Sequence, residues 1–557
     1  MNRLPWFALL SALVAWSAMC SCAYAGDTHA DVIYINGKIH TLDAHDSRAE
    51  ALAVSNGRLL FVGTNENGKD FTGPRTHSID LKGRTVLPGL IDAHAHVLSL
   101  GHLKLSRLDL LNTRSYAEAI QRVAERAKQC KPGEWVIGAR WDQANWGMKE
   151  LPTHEKLSAA TPNRPVMLSR VDGHCVLVNE RAMQLSRITK ATRNPRGGEV
   201  LKDARGEPTG ILIDAASGLV RPIAHRKATA SEELLAAQEA CLAVGLTGVH
   251  DAALSPTQVS LYKKLCDKGK WKLRIYGMIT AGHAASWCTN HKPLVDYADG
   301  RLTLRAIKCC MDGALGSRGA WLIEPYTDRP QSRGVATYSA ERLAGICRLA
   351  TKHGYQVCTH AIGDRANREV LDAYETVLKD HPKLDARWRS EHAQVVAVKD
   401  LPRFAKLGVL PSMQFTHATS DMRWAKDRLG SERLKGAYAW ATLLKSGCRI
   451  PGGSDFPVES ENPLWGVYAA VTRQDREGQP AGGWRSEECI SRKQALRAFT
   501  IDAAYAAFEE KKKGTLETGK LADFVVFDRD VITCPIKELL VARVEMTVIG
   551  GEVVYEP

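Results

Sequence analysis

Between about residues 86 and 500, short apolar stretches alternate with longer stretches whose apolar residues have helical spacing. This alternation predicts parallel strands joined by crossover helices. Eight candidate strands lie at Val86–Val97, Leu246–Ala252, Leu273–Ile279, Leu304–Met311, Tyr355–Ile362, Trp388–Val396, Val409–Phe415 and Arg449–Phe456. Eight βα units are the number that closes a TIM barrel. We therefore expect an α/β protein with a (β/α)8 barrel at its centre.

The segment between the first two candidate strands is far longer than one crossover helix requires. We therefore expect an inserted subdomain over about residues 105–235, in which Gly and Pro mark turns at residues 194–199 and 205–208. A chain of 557 residues with a hydrophobic fraction of 44% can bury a large core and still carry such additions.

Strand-like segments also lie near both ends of the chain. Four of them are apolar and rich in β-branched residues, namely residues 31–40, 51–62, 523–528 and 544–554. Asn-Gly pairs at residues 36–37 and 56–57, and a Gly-Gly pair at residues 550–551, favour hairpin turns within them. These features predict one small β-sandwich made from both termini, with the barrel inserted between its two halves.

The N-terminus has the three parts of a secretory signal peptide. Arg3 supplies a positive charge, residues 7–19 are apolar but short for a membrane span, and residues 23–25 form an Ala-Tyr-Ala cleavage site. We therefore expect cleavage after this site and export to the periplasm or the medium. A lipoprotein is the less favoured alternative, because Cys20 and Cys22 fit a lipid-attachment box poorly.

Composition excludes some classes of function. The formal net charge is +13, but Lys and Arg are scattered and form no stripe interleaved with aromatic residues, so a nucleic-acid partner is not expected. No later apolar run approaches about 18 residues, so no stable membrane span is expected. The cysteines have no regular spacing, and their pairing is left open.

The predicted domains are a signal peptide at residues 1–25, the first part of the sandwich at 26–85, the barrel at 86–500, and a helix with the rest of the sandwich at 501–557.

Metal-ligand side chains stand where the apolar strands end. The first strand closes with His94 and His96, which share one face because side chains alternate along a strand. The fifth and sixth strands end with His360 and His392, and the eighth ends with Asp455. In a barrel, these carboxyl ends converge on one mouth. Imidazole and carboxylate ligands suit zinc, so we expect one or two divalent metal ions there.

Lys308 lies within the otherwise apolar fourth strand, where an unpaired ammonium is costly to bury. If its amine has reacted with carbon dioxide, the resulting carbamate can bridge two metal ions. Two alternatives stay open: Lys308 pairs with a carboxylate, or Cys309 or Cys310 supplies a thiolate ligand. His174 and Arg318 are candidate substrate-binding residues, with a purely structural role as the alternative for each.

Several motifs occur in combination. They are Gly89–His96, Asp172-Gly-His174, Lys308 with Asp312-Gly313, His360–Arg365, Glu391–Gln394, Gly453–Pro457 and Gly519–Asp523. Together they resemble the YtcJ-like branch, amidohydrolase family 3, of the metal-dependent amidohydrolase superfamily, and the likeness runs through about residues 31–555. The resemblance implies a distorted TIM barrel with a composite β-sandwich. It also implies metal binding by His94, His96, Lys308, His360, His392 and Asp455.

The activity that the resemblance implies is metal-dependent hydrolysis of a small molecule. A metal-activated hydroxide attacks a carbonyl carbon, and Asp455 carries the proton to the leaving amine. The expected target is a C–N bond other than a peptide bond, in an amide, an N-acyl or N-formyl group or a cyclic imide. The alternatives are an ester or lactone hydrolase on the same site, or a secreted binding protein without catalysis. The oligomeric state is left open, and a homodimer is compatible with the sequence.

Overall fold

The structure is a computed structural model that describes residues 29–111, 113–131, 133–220 and 228–557. The signal peptide expected at residues 1–25 lies outside the described residues. Among the helices of the described residues, none has the length and apolar character needed to cross a bilayer. No disulfide links the cysteines of this part of the chain.

Eight parallel strands form the central barrel. In sheet order they are Leu90–Ala95, Leu246–Leu254, Arg274–Thr280, Leu302–Cys310, Gln356–Ala361, Arg389–His392, Leu410–Gln414 and Gly452–Gly453, called the first to eighth barrel strands below. The short strand Leu294–Asp296 pairs with the fourth. Just after the eighth strand, the backbone and hydroxyl of Ser454 donate hydrogen bonds to Asp92 of the first, which brings the two ends of the sheet together. The expected TIM barrel is confirmed.

Helices connect the barrel strands and cover their outer face. They are Val97–Leu105, Ala230–Leu242, Pro256–Asp267, Ala281–Asn290, Tyr297–Gly300, Ala340–His353, Asp364–Leu378, Leu401–Leu407, Phe415–Asp421, Ala425–Leu434, Trp440–Lys445, Pro463–Thr472, Arg492–Ala498 and Ile501–Ala506. Capping boxes fix where some of them begin: Thr229 with Glu232 starts one helix, and Ser255 with Gln258 starts the next. Short 3-10 helices lie at Lys69–Phe71, Gln143–Trp146, Ala215–Leu219, Val398–Asp400, Ser486–Glu488 and Ile536–Val541.

The segment predicted as one strand at Val86–Val97 divides at Gly89. Thr85–Pro88 belongs to the terminal sandwich, whereas Leu90–Ala95 is the first barrel strand. A Cβ at Gly89 would lie 2.3 Å from Thr247 Oγ1, so only glycine permits this close approach. Apolar residues on both sides of Gly89 are buried, and hydrophobicity alone therefore did not reveal the division.

Strands from both chain ends form a composite β-sandwich, as expected. One sheet has the order Arg58–Gly63, Ala51–Ser55, Val32–Ile35 and His77–Asp80, and the other has the order Glu552–Tyr555, Val544–Ile549, Phe524–Phe527, Thr85–Pro88, Lys38–His40 and Arg48–Ala49. The helix Asn65–Gly68 follows the strand Arg58–Gly63. The C-terminal strand Phe524–Phe527 pairs antiparallel with the N-terminal strand Thr85–Pro88, which joins the two chain ends in one sheet.

Two of the three predicted hairpins are confirmed, at residues 56–57 and 550–551. The hairpin predicted at residues 36–37 is wrong, because Val32–Ile35 and Lys38–His40 lie in different sheets of the sandwich. The Asn-Gly pair does form a turn, with Asn36 at a φ of 56°. That turn passes the chain from one sheet to the other, and each flanking strand pairs with a different partner.

A six-stranded sheet forms the inserted subdomain. In sheet order its strands are Gly198–Lys202, Pro208–Asp214, Cys175–Val178, Val166–Arg170, Val136–Trp141 and Leu108–Asp109, and its helices are Tyr116–Gln129, Glu155–Ala160 and Glu180–Leu185. Buried apolar side chains give it a core of its own. Arg170 and His174 of this subdomain line the same cavity as His360 and His392, so the insertion covers the mouth of the barrel.

Candidate metal centre and active-site cavity

The six predicted ligands come together at the mouth of the barrel. They are His94 and His96 at the end of the first strand, Lys308 in the fourth, His360 in the fifth, His392 in the sixth, and Asp455 just after the eighth. Asp455 Oδ1 lies 3.1 Å from His96 Nε2 and 3.7 Å from His94 Nε2. Lys308 Nζ lies 3.2 Å from His94 Nε2. The rings of His360 and His392 are 4.5 Å apart between centroids.

Buried partners orient two of the imidazoles. His94 Nδ1 lies 2.5 Å from Glu391 Oε2, and His392 Nδ1 lies 2.7 Å from Gln414 Oε1. Arg389 in turn holds Glu391, with 2.7 Å between Nε and Oε1. A partner on Nδ1 fixes the ring and directs Nε2 towards the cavity, which is the usual arrangement behind a metal-binding histidine.

The residues at this site fit a metal ion. His94, His96 and Asp455 offer ligand atoms that all lie within 4.8 Å of one another. His360 Nε2 is buried without a hydrogen-bond partner in the described chain, and such an atom is costly unless something binds it. Imidazole nitrogen and carboxylate oxygen are the donors that zinc and similar divalent ions prefer.

The charge states at the site favour ligation. Burial and the neighbouring Lys308 ammonium lower the pKa of His94 to about 4. Burial and the neighbouring imidazoles hold the pKa values of His360 and His392 well below the usual range. Burial raises the pKa of Asp455, but the adjacent imidazoles outweigh burial and lower it below its usual value. Neutral imidazoles and an ionised carboxylate are the forms that bind metal.

His174 reaches the barrel mouth from the inserted subdomain. Its Nδ1 lies 2.6 Å from Asp214 Oδ1, and its ring centroid is 4.9 Å from that of His360. Burial lowers the pKa of His174, but the hydrogen bond and charge of Asp214, with Asp172 and Asp312, outweigh it and raise the pKa to about 9. The structure thus brings His174 into the cavity, where a substrate-binding residue is expected.

Arg318 lies apart from this group. Its Nη2 is 3.1 Å from Asp328 Oδ2 and 3.6 Å from Glu150 Oε1. Among the described residues, Arg318 does not belong to the lining of the cavity that holds His174. The structure gives its guanidinium protein partners, and its contact with a substrate stays a prediction.

Two connected cavities open from the ligands. One of about 610 Å³ is lined by Lys308 among others, and the other, of about 120 Å³, extends past His392 and Asp455. Several polar residues that line the second cavity were not among the predicted ones, and they include Arg170, His417, Asp421 and Glu459. A signal was present for His417, which follows the seventh barrel strand as the known candidates follow theirs.

Comparison with known proteins agrees with this arrangement. The model of the amidohydrolase family matches residues 77–555. The Bacillus subtilis protein YtcJ is 34% identical over 94% of this chain and 99% of its own length. An N-substituted formamide deformylase from Arthrobacter pascens is 29% identical over 94% of this chain and 98% of its own length. An uncharacterized metal-dependent hydrolase from Pyrococcus horikoshii OT3 superimposes with a TM-score of 0.72 at 28% identity, covering 91% of this chain and 99% of that chain.

Proposed function

Because this chain belongs to the amidohydrolase family, whose members include metal-dependent hydrolases, we propose that it cleaves a C–N bond of a small molecule. The bond is that of an amide, an N-acyl or N-formyl group or a cyclic imide. The observation that carries the proposal is the convergence of four imidazoles, Lys308 and Asp455 on one cavity at the carboxyl ends of the barrel strands. The relative named as a formamide deformylase supports a C–N bond rather than a C–O bond.

In this proposal a divalent metal ion, zinc above all, is held by residues from five barrel strands. These residues are His94, His96, Lys308, His360, His392 and Asp455. When bound, such an ion polarises a carbonyl oxygen and lowers the pKa of a water molecule. Glu391 and Gln414 keep two of the imidazoles in the orientation that ligation needs.

Asp455 is the proton carrier of the proposed reaction. Its carboxylate lies at the wall of the cavity, beside His96 and His417. A carboxylate held ionised can take the proton from the attacking water and pass it to the nitrogen of the breaking C–N bond. The amine then leaves as a neutral molecule. His174, held by Asp214, lies across the same cavity and is placed to bind the substrate.

We also place a carboxylated side chain at Lys308. In this modification, the neutral amine of Lys308 adds to the carbon of carbon dioxide and one proton is released. The resulting carbamate carries a negative charge. Lys308 is only 9% exposed and lies 3.2 Å from His94, so an unmodified ammonium would sit beside the metal ligands. An ammonium would repel a metal ion held by these ligands, whereas a carbamate would attract it and supply two further ligand oxygens.

Metal analysis combined with a hydrolysis panel tests the proposed function. We expect bound metal in the purified protein, and faster release of amine from N-formyl and N-acetyl amines than of alcohol from the matching esters and lactones. A chelator should abolish the activity, and added zinc should restore it. Faster cleavage of esters or lactones would replace this proposal with an ester hydrolase. Bound metal without turnover of any substrate would indicate a binding protein.

A further inference from the structure

The cavity beyond the metal ligands carries an excess of negative charge. Leaving Asp455 aside, its lining contains four carboxylates against two guanidinium groups and the His174 imidazolium. The carboxylates are Asp142, Asp172, Asp421 and Glu459, and the guanidinium groups are Arg170 and Arg423. Arg170 lies 2.7 Å from Asp142 and 2.6 Å from Asp172. Asp421 and Glu459 have no Lys, Arg or His nitrogen within ion-pair distance among the described residues, although the charge of His417 acts on both. The whole chain has a formal net charge of +13, so a pair of neighbouring carboxylates without an ion-pair partner stands out in this protein.

The protein holds each of these two carboxylates by one oxygen only. Asp421 Oδ2 accepts hydrogen bonds from the Tyr438 hydroxyl, at 2.6 Å, and from Gln394 Nε2. Glu459 Oε1 accepts a hydrogen bond from the Ser420 hydroxyl. The second oxygen of each accepts no hydrogen bond within the described chain. Burial raises the pKa of Asp421 to about 7 and also raises that of Glu459, although both side chains keep some contact with solvent.

Two further side chains of the same wall each bury a ring nitrogen that makes no hydrogen bond. His417 and Trp424 are each 8% exposed, and both line this cavity. His417 Nε2 and Trp424 Nε1 have no hydrogen-bond partner in the described chain. His417 and Asp421 are four residues apart on the helix Phe415–Asp421 and so share one of its faces. Buried polar atoms are normally paired, and unpaired ones that line a cavity indicate a bound molecule with polar groups of its own.

We propose that Asp421 and Glu459 form a recognition subsite for a positively charged group of the substrate, a primary ammonium or a guanidinium. The inference rests on the proposed function, because it places this charge on the molecule whose C–N bond is cleaved at the metal centre. A cation with several N–H donors satisfies the two unengaged carboxylate oxygens and offsets their repulsion. A substrate with a carboxylate at the same position is repelled.

Three amides that differ only at the end of one chain test the subsite. They are N-acetyl-1,5-diaminopentane, N-hexylacetamide and 6-acetamidohexanoate, with positive, neutral and negative ends. We expect kcat/KM to be about tenfold higher for the first than for the second, and lowest for the third. Asp421→Asn and Glu459→Gln should each lower kcat/KM for the ammonium substrate about tenfold and leave N-hexylacetamide within about threefold.

The control is Glu432→Gln, which removes a negative charge from a side chain that is 83% exposed. It should change none of the three values. Equal losses on the ammonium and neutral substrates in the cavity variants, or a wild-type enzyme that prefers the neutral amide, would overturn the proposal. If Asp421→Asn unfolds because it loses the contact with Tyr438, the result for Glu459→Gln alone decides whether the subsite exists.

Binding of pentylguanidinium, measured by calorimetry, separates failure of the subsite from failure of the proposed function. This probe is always charged and does not ligate metals. We expect the two cavity variants to weaken its binding about tenfold and Glu432→Gln to leave it unchanged. Binding that depends on both carboxylates in a protein that cleaves no amide would keep the subsite and remove the C–N activity. If the protein cleaves amides but its binding of pentylguanidinium depends on neither carboxylate, the C–N activity stands and the subsite is excluded.

Discussion

Asp455 has two tasks in the proposed site, as a ligand and as a proton carrier, and the first can be preserved in part while the second is removed. Asp455→Asn keeps the size of the side chain and one oxygen, but an amide does not accept the proton. We expect kcat to fall about 10²–10⁴-fold at an unchanged melting temperature. Metal content should be measured on the same sample, because a weaker ligand adds to the loss. Activity within about threefold of wild type would exclude Asp455 as the proton carrier.

Lys308 is the residue whose chemistry depends most on its surroundings, since a carbamate forms only from a neutral amine. Lys308→Ala should lower metal content and rate together, and short carboxylic acids such as propionate should restore part of both by entering the vacated space. Lys435→Ala, at a side chain that is 64% exposed, is the control and should change neither. Full metal content and activity in Lys308→Ala would leave Lys308 with a structural role only.

The convergence of the candidate ligands could be predicted because each lies near the carboxyl end of a barrel strand, and all barrel strands end at one mouth. His417, Asp421 and Glu459 were missed for different reasons. His417 comes just after the seventh strand, so the rule that gave the other candidates also applied to it. Asp421 enters the cavity only through the helix Phe415–Asp421, and Glu459 through the path of the chain after Asp455. Those positions depend on packing between elements far apart in sequence, which periodicity does not encode.

At the scale of elements, the eight strands were predicted in the right order, while their bounds were less certain. The eighth was expected over Arg449–Phe456, but only Gly452–Gly453 pairs within the sheet. A Cβ at Gly453 would lie 2.7 Å from His94 N, so the eighth strand approaches the first too closely for any side chain there. Neither this contact nor the division at Gly89 follows from hydrophobicity, because both result from how two strands meet.

Two helices meet with very little space at Gly101. A Cβ there would lie 1.9 Å from Glu233 O of the helix Ala230–Leu242, so Gly101→Ala pushes backbone against backbone. We expect a loss of about 1–3 kcal/mol in the free energy of unfolding, measured by denaturant titration. Gly345→Ala is the matched control, because it lies within the helix Ala340–His353 with nothing within 4 Å of the added Cβ. It should gain about 0.5–1 kcal/mol from helix propensity. Equal effects of both substitutions would contradict this account of the contact.

At the scale of the whole molecule, a buried ion pair joins the barrel to the sandwich. Arg274 opens the third barrel strand, and its Nε and Nη2 lie 2.6 and 2.8 Å from the two carboxylate oxygens of Asp523, just before the strand Phe524–Phe527. Arg274→Met removes one partner and leaves the other charge buried, so we expect a loss of about 3–5 kcal/mol at neutral pH. Arg84→Met breaks the more exposed pair with Glu545 and should cost no more than about 1 kcal/mol.

The same pair sets part of the acid sensitivity of the fold. Burial raises the pKa of Asp523, but Arg274 outweighs burial and holds that pKa below its usual value. The stabilisation is therefore present above the pKa of about 3.9 of an unfolded Asp and is lost as the pH falls through the lower folded value. In metal-free protein, the difference in stability between wild type and Arg274→Met should shrink as the pH falls below about 4. A difference independent of pH would show that lost packing, rather than charge, explains the variant.

Export is the last property that belongs to the whole chain. We propose that the signal peptide is removed before Gly26, because residues 23–25 give the small-x-small site that signal peptidase needs. Such a cut leaves the first sandwich strand intact, since that strand begins at Val32 and Ala30 is already buried. Expression of the full sequence in a Gram-negative bacterium should give a periplasmic protein. Its mass should match that of a chain that begins at Gly26. Ala25→Phe places a large residue at the site and should block the cut while the same chain is still made. A product that starts at Met1, or one carrying lipid on Cys20 or Cys22, would contradict cleavage at this position.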